Sequence, residues 1–118
     1  MVKAERLVPP YYTVIFVSCR RLGGDGDDGY DAMAERMAAL SAKQPGFLGM
    51  DSARGADGLG ITTCYWRELA DIAAWKADLD HQGAQALGKA EWYSGFTLHI
   101  ARVERVEGWT APAAASAG

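Results

Sequence analysis

The sequence predicts an α+β domain in which strands and helices follow the order βαββαβ. Residues 11–20 are rich in β-branched and aromatic side chains, which is typical of a strand. The Pro45-Gly46 pair cannot continue a helix and marks a turn into a second strand. The glycine-rich residues 55–60 are typical of a hairpin that leads into a third strand. This order predicts a ferredoxin-like antiparallel sheet with its helices on one face.

The first strand is apolar on both of its faces. Successive side chains of a strand point to opposite sides, so Val14 and Phe16 lie on one face and Ile15 and Val17 on the other. Helices on one face of a sheet leave the other face uncovered. We therefore predict that two copies of the chain stack sheet to sheet as a homodimer.

The two helices are predicted from apolar spacing. The first spans residues 30–43, where an apolar stripe recurs with helical periodicity: Tyr30, Met33, Ala34, Met37, Ala38 and Leu40. The second spans residues 67–79, because Ile72, Trp75 and Leu79 fall on one helical face. The other predicted elements are a short helical piece over residues 82–92 and strands over residues 47–54, 61–66 and 96–106.

One domain is predicted over residues 11–110. A chain of 118 residues buries roughly two-thirds of its unfolded surface, which is enough for a single core. Residues 1–10 are predicted to be an N-terminal extension, and the small residues of 111–118 a disordered tail. The sequence has no apolar run of the length of a signal peptide or a membrane span, so the expected location is the cytoplasm, with no membrane partner.

Charge and cysteine content exclude several classes of function. The net charge is only −3 and no basic patch occurs, so we expect no nucleic-acid partner. Cys19 and Cys64 lack the spacing of metal ligands and are predicted to be reduced thiols in or near the core. Residues 25–28 are acidic but lack the glutamate that completes a calcium loop. The sequence therefore predicts no metal site.

Four segments together resemble the antibiotic biosynthesis monooxygenase-like proteins of the dimeric α/β-barrel superfamily. They are the QPGFLG turn at residues 44–49, the GITTCYW strand at residues 60–66, the helix that carries Trp75 with His81 six positions on, and the AEWY segment at residues 90–93. The resemblance implies a dimeric α/β barrel. It also implies an apolar pocket between sheet and helices, where an electron-rich phenol or anthrone is oxidised without a metal, a flavin or another cofactor.

Aromatic side chains near the junction of sheet and helices are the candidate walls of this pocket. Tyr65 and Trp66 end the third strand, Trp75 lies on the second helix, and Trp92 precedes the last strand. A large aromatic residue also packs readily in an ordinary core. Trp92 has a further alternative, which is packing at a dimer edge or between helix and strand.

Four polar residues are candidates for contact with a substrate. His99 or His81 could accept a proton from a phenol, because the ordinary pKa of histidine is about 6.5. The alternatives are a histidine bonded within the sheet for His99, and a helix cap or surface position for His81. Arg20 could pair with an enolate or carboxylate, or with a surface acid. Ser18, or its neighbour Cys19, stands in the stretch of the first strand where the resemblance implies an asparagine.

The chain departs from the family in two respects. It contains no asparagine, and Gln85 stands where the resemblance implies a haem-ligating histidine. The leading hypothesis is a cofactor-independent monooxygenase that acts on a small electron-rich aromatic substrate. The alternative is a non-catalytic, small-ligand-binding or stress-related protein of the same fold. A haem-degrading or haem-binding protein is the third, and Gln85 disfavours it.

Overall fold

The computed structural model describes residues 7–21, 29–81, 83 and 92–112. Its elements are β1 (Tyr11–Arg20), α1 (Tyr30–Ala42), β2 (Phe47–Arg54), β3 (Leu59–Trp66), α2 (Leu69–His81) and β4 (Tyr93–Val103). The four strands form one sheet in the order β2-β3-β1-β4, and every neighbouring pair is antiparallel. The predicted ferredoxin-like α+β fold is confirmed.

The sheet has an inner face, which the two helices cover, and an outer face. The register places Val14 of β1 opposite Cys64 of β3 and Ile100 of β4, so these side chains share a side. The inner face also carries Phe16, Ser18, Met50, Thr62 and Leu98. The outer face carries Thr13, Ile15, Val17, Ile61, Thr63, Tyr65, Thr97 and His99.

The core lies between the inner face and α2. Val14, Cys64, Trp66, Ile72 and Trp75 form one buried cluster. The ring of Trp66 is fully buried and lies 5.3 Å from that of Trp75. Aromatic pairs at this separation stabilise a core beyond the area that they bury. The helical spacing of Ile72 and Trp75 therefore directs both side chains onto the sheet, as predicted.

The predicted turn at Pro45-Gly46 is present and depends on glycine. Gly46 has a φ of +82°, in the left-handed region that favours glycine. A Cβ atom at Gly46 would lie 2.8 Å from Cβ of Asp71, at the start of α2. The carbonyl of Gly46 accepts a hydrogen bond of 2.8 Å from the backbone N–H of Arg67. This turn therefore joins the entry of β2 to the end of β3.

Several bounds differ from those predicted. β3 begins at Leu59 rather than residue 61, because the backbone N–H of Gly55 donates to the carbonyl of Leu59 and closes the hairpin early. β4 begins at Tyr93 rather than residue 96, because Tyr93 pairs with Arg20 beyond a register shift at which Ser94 of β4 is the extra residue. The second helix runs from residue 69 to residue 81, two residues later than predicted at each end.

The expectation of two near-core thiols is half right. Cys64 is buried on the inner face, whereas Cys19 is exposed because its odd position in β1 turns it to the outer face. Both are free thiols. The predicted helical piece at residues 82–92 and the tail at residues 111–118 lie largely outside the described residues, as does the N-terminal extension. Within the described ranges, no helix is both long and apolar enough to cross a membrane.

Candidate functional site

A cavity of about 410 Å³ lies between the inner face and the helices. This volume falls in the lower part of the range for small-molecule sites. Its lining residues are mostly apolar or aromatic: Val14, Phe16, Tyr30, Ala34, Glu35, Met37, Ala38, Ser41, Met50, Ser52, Thr62, Cys64, Trp75, Leu79, Tyr93 and Leu98. The helical stripe of α1 that the sequence assigns to the core thus forms one wall, and the sheet forms the other.

Trp75 is fixed in this wall by a hydrogen bond. Its indole Nε1–H donates to Oγ of Ser41 on α1 at 2.7 Å. The hydroxyl of Ser41 in turn donates to the carbonyl of Met37 at 2.8 Å. The N–H of the indole is therefore already hydrogen-bonded to α1. Trp75 contributes only the apolar surface of its ring to the cavity wall.

At one end of the cavity, the lining residues Tyr30 and Tyr93 join a polar network with three side chains that do not line it. We call the five residues the tyrosine–arginine cluster: Ser18, Arg20, Tyr30, Arg54 and Tyr93. Nη2 of Arg54 donates to Oγ of Ser18 at 2.7 Å and to Oη of Tyr30 at 3.1 Å. Oη of Tyr93 donates to Oη of Tyr30 at 3.4 Å. The guanidinium carbon of Arg20 lies 3.8 Å from the centre of the Tyr30 ring, a cation–π contact. Two cationic side chains thus flank the phenol of Tyr30.

Both ionisable groups with shifted pKa values at the cavity remain protonated near neutral pH. Burial, followed by the neighbouring Tyr30 hydroxyl, raises the pKa of Tyr93 well above its ordinary value. Burial raises the pKa of the Cys64 thiol to about 11. Tyr93 is therefore a hydrogen-bond donor, and Cys64 is an apolar part of the wall rather than a nucleophile.

His99 does not lie at the cavity. It is exposed on the outer face, because residue 99 alternates with Leu98, which lines the cavity. This corrects the expectation that His99 is the proton acceptor in the pocket. His81 is the last residue of α2, and its side chain lies outside what the structure describes.

Tyr65 also lies on the outer face, which corrects its assignment as a pocket wall. Its hydroxyl donates to a carboxylate oxygen of Asp51 at 3.1 Å. Burial, and then this hydrogen bond, raise the pKa of Tyr65. Its register partner Thr13 faces the same side of the sheet. Because side chains alternate along β3, Tyr65 lies on the face opposite to Cys64 and Trp66.

The other predicted contact residues lie behind the cavity wall. Trp66 is buried beneath Trp75 and does not line the cavity. Trp92 is buried against Tyr30, with ring centres 5.6 Å apart. Ser18 and Arg20 belong to the tyrosine–arginine cluster. Among the described residues, no group of three or more histidine, cysteine or acidic side chains could hold a metal ion.

Several lining or adjacent residues were not predicted as a site: Tyr30, Glu35, Met37, Arg54 and Tyr93. Tyr30 and Met37 belong to the apolar stripe of α1, so the sequence offers the cue that they face the sheet. Arg54 and Tyr93 lie far apart in the chain. Only the pairing of β2, β3, β1 and β4 brings them together.

A comparison with family models found no match. A curated relative, the uncharacterised protein YqjZ of Bacillus subtilis, is 45% identical over 97 residues, which cover 82% of each chain. A solved structure of SnoaB, a cofactor-independent oxygenase from Streptomyces nogalater, superposes with a TM-score of 0.67 at 15% identity. It covers 83% of this chain and 97% of SnoaB.

A second solved structure is that of a proposed antibiotic biosynthesis monooxygenase from Bordetella bronchiseptica. It superposes with a TM-score of 0.63 at 15% identity, over 84% of this chain and all of that one. Identities this low establish a common fold. The chain shares its fold with SnoaB and with the Bordetella bronchiseptica protein, and by sequence it belongs to the family of YqjZ.

Proposed function

We propose that this protein binds a small electron-rich aromatic molecule in the cavity and oxidises it with dioxygen, without a cofactor of its own. The observation that carries the proposal is an apolar cavity of about 410 Å³, walled by Trp75 and ended by two phenols. The shared fold with SnoaB, a cofactor-independent oxygenase, supports it. With an anthrone as substrate, the ring CH₂ becomes a quinone carbonyl. One oxygen atom of dioxygen enters the product and the other leaves as water.

The residues divide into walls, hydrogen-bond donors and a proton acceptor. Phe16, Trp75 and Leu98 contact the aromatic rings and exclude water. The hydroxyl of Tyr30, which accepts from Tyr93 and Arg54, donates to a substrate oxygen. Glu35 is a carboxylate among the described lining residues, and it is our candidate proton acceptor in place of His99.

Oxygen consumption with anthrone tests this function. Ala38 on α1 lines the cavity, whereas its exposed neighbour Ala39 does not. Ala38→Phe should fill the cavity and abolish both binding and oxygen uptake, and Ala39→Phe should leave both near the parent values. Binding of electron-rich aromatics without any oxygen uptake would favour the alternative, a non-catalytic ligand-binding protein. Equal effects of the two substitutions would show that the chemistry lies elsewhere.

We further propose that the outer face joins two copies into a homodimer. Leu59 and Ile61 of β3 are 44% and 47% exposed there, although strand side chains of this type are usually buried. A more open depression of about 510 Å³ lies beside Ile61, between β2 and β3. Trp109, beyond the end of β4, is 81% exposed. The sheet of a second copy would cover these apolar groups.

The expected cytoplasmic location is retained as part of the proposal. Cys19 and Cys64 are both free thiols, which is typical of a reducing compartment.

A further inference from the structure

The guanidinium of Arg54 is held entirely by neutral groups. Nη1 donates to the carbonyl oxygens of Ser18, at 3.3 Å, and of Gly58. Nη2 donates to the hydroxyls of Ser18 and Tyr30. No carboxylate of the described residues forms an ion pair with it. Its geometry is thus fixed by four hydrogen bonds, while its positive charge has no anionic partner in the described part of the chain.

Gly60 makes room for this arrangement. Gly60 of β3 is the register partner of Arg54, and the guanidinium lies across it on the inner face. A Cβ atom at Gly60 would lie 2.6 Å from Nη2 of Arg54. The backbone of Gly60 has no left-handed φ, so alanine suits its conformation but not the position of the guanidinium.

Tyr30 connects this charge to the cavity. Its hydroxyl accepts hydrogen bonds from Arg54 and from Tyr93, and both tyrosines line the cavity. Hydrogen bonds in a chain polarise one another, and a phenol that accepts from a guanidinium becomes a stronger donor. The rest of the lining is mainly apolar. The cavity therefore suits a ligand that places a negatively charged group beside the two tyrosines and its aromatic rings against the apolar lining.

We propose that the tyrosine–arginine cluster binds the negatively charged oxygen of an aromatic ligand, a phenolate or a carboxylate, whose rings occupy the apolar part of the cavity. This inference rests on the proposed function and adds the charge and the orientation of the ligand. Tyr30 donates to the oxyanion, while Arg54 and Tyr93 donate to Tyr30 and stabilise the oxyanion through it. Charge-assisted hydrogen bonds of this kind are about twice as strong as neutral ones.

Isothermal titration with three naphthalene probes tests the inference. 2-Naphthoate carries a carboxylate, 2-acetylnaphthalene is a neutral ligand of similar shape, and 2-naphthol reports on a phenolate. The parent protein should bind naphthoate at least about tenfold more tightly than acetylnaphthalene, or lower the pKa of bound 2-naphthol. The first result identifies a carboxylate ligand and the second a phenolate, and either supports the inference.

Three variants locate the anion preference. Arg54→Gln removes the charge, and Gly60→Ala keeps the charge but displaces the guanidinium. Both should abolish the preference by weakening the binding of naphthoate more than that of acetylnaphthalene. Arg67→Gln removes an exposed arginine that does not line the cavity and should have no effect.

The outcomes separate this inference from the proposed function. Equal affinity for naphthoate and acetylnaphthalene, with no shift in the naphthol pKa, would overturn the anion site and leave the aromatic cavity standing. An anion preference that survives both Arg54→Gln and Gly60→Ala would also overturn it. Failure to bind any of the three probes would contradict the proposed function and this inference together.

Discussion

The indole N–H of Trp75 donates to the hydroxyl of Ser41 across 2.7 Å, which joins the two helices on one side of the cavity. Ser41 is 3% exposed and Trp75 is 8% exposed, so water does not readily replace either partner. The bond sets the tilt of the indole over the sheet. It makes the cavity wall part of the core, and substitutions there affect stability as well as binding.

Ser41→Ala should lower the free energy of unfolding by about 1–3 kcal/mol, because it leaves a buried indole N–H unpaired. Trp75→Ala should cost more, about 3–5 kcal/mol, as expected for a large buried aromatic residue. Urea unfolding measures both. In a Trp75→Phe background, Ser41→Ala should cost much less, because no indole N–H remains. An undiminished cost in that background would show that Ser41 acts through another contact.

Gly46→Ala should destabilise the protein more than Gly29→Ala, although both glycines have a φ of +82°. Alanine in a left-handed conformation costs about 1–2 kcal/mol at either position. Nothing lies within 4 Å of a Cβ at Gly29, whereas at Gly46 it would displace the side chain of Asp71. We expect a further cost of about 1–3 kcal/mol at Gly46. Thermal unfolding of both variants provides the comparison, and equal losses would place Asp71 away from the turn.

The thiol of Cys64 should resist alkylation until the pH is well above 9. The folded protein raises its pKa to about 11, from 9.0 for an ordinary thiol. In a Cys19→Ser background, the rate of reaction with iodoacetamide should therefore still rise between pH 9 and 10. In urea it should rise less than about twofold over that interval, because an ordinary thiol is already about half deprotonated at pH 9. A rate that levels off at the same pH in both conditions would contradict the burial of this thiol.

The same shift makes stability depend on pH. Above pH 9 the unfolded chain releases the Cys64 proton while the folded chain retains it up to about pH 11. The unfolded state then binds fewer protons, so the free energy of unfolding falls as the pH rises through this window. Below pH 9 the thiol contributes no pH dependence. Cys64→Ala should remove this component of the slope, which denaturant unfolding at several pH values would detect.

The protein should sediment as a dimer at micromolar concentration. An interface on the outer face should bury more than about 1,000 Å² in total, above most crystal contacts. Ile61→Lys places a charge in the middle of that face and should yield monomers. Leu69→Lys is the matched control, because Leu69 is 53% exposed but lies at the start of α2. A monomeric parent, or equal dissociation by both variants, would rule out this interface.

Local patterns in the sequence determined the order and type of the elements. A β-branched run specified β1, Pro45-Gly46 specified the turn before β2, and the spacing of Ile72 and Trp75 specified the buried side of α2. These signals arise from backbone sterics and side-chain periodicity, which act over a few residues. They also placed Trp75 at the boundary of sheet and helices, where it lines the cavity.

Only the tertiary structure decided which residues form the site. Alternation along β4 says that His99 and Leu98 face opposite sides, but not which side the helices cover. The contact of Arg54 with Ser18, Tyr30 and Gly60 joins residues from four separate segments, and no local pattern encodes it. The polar end of the cavity exists because strand pairing and helix packing bring these segments within hydrogen-bond distance, an outcome of the whole fold rather than of any one stretch of chain.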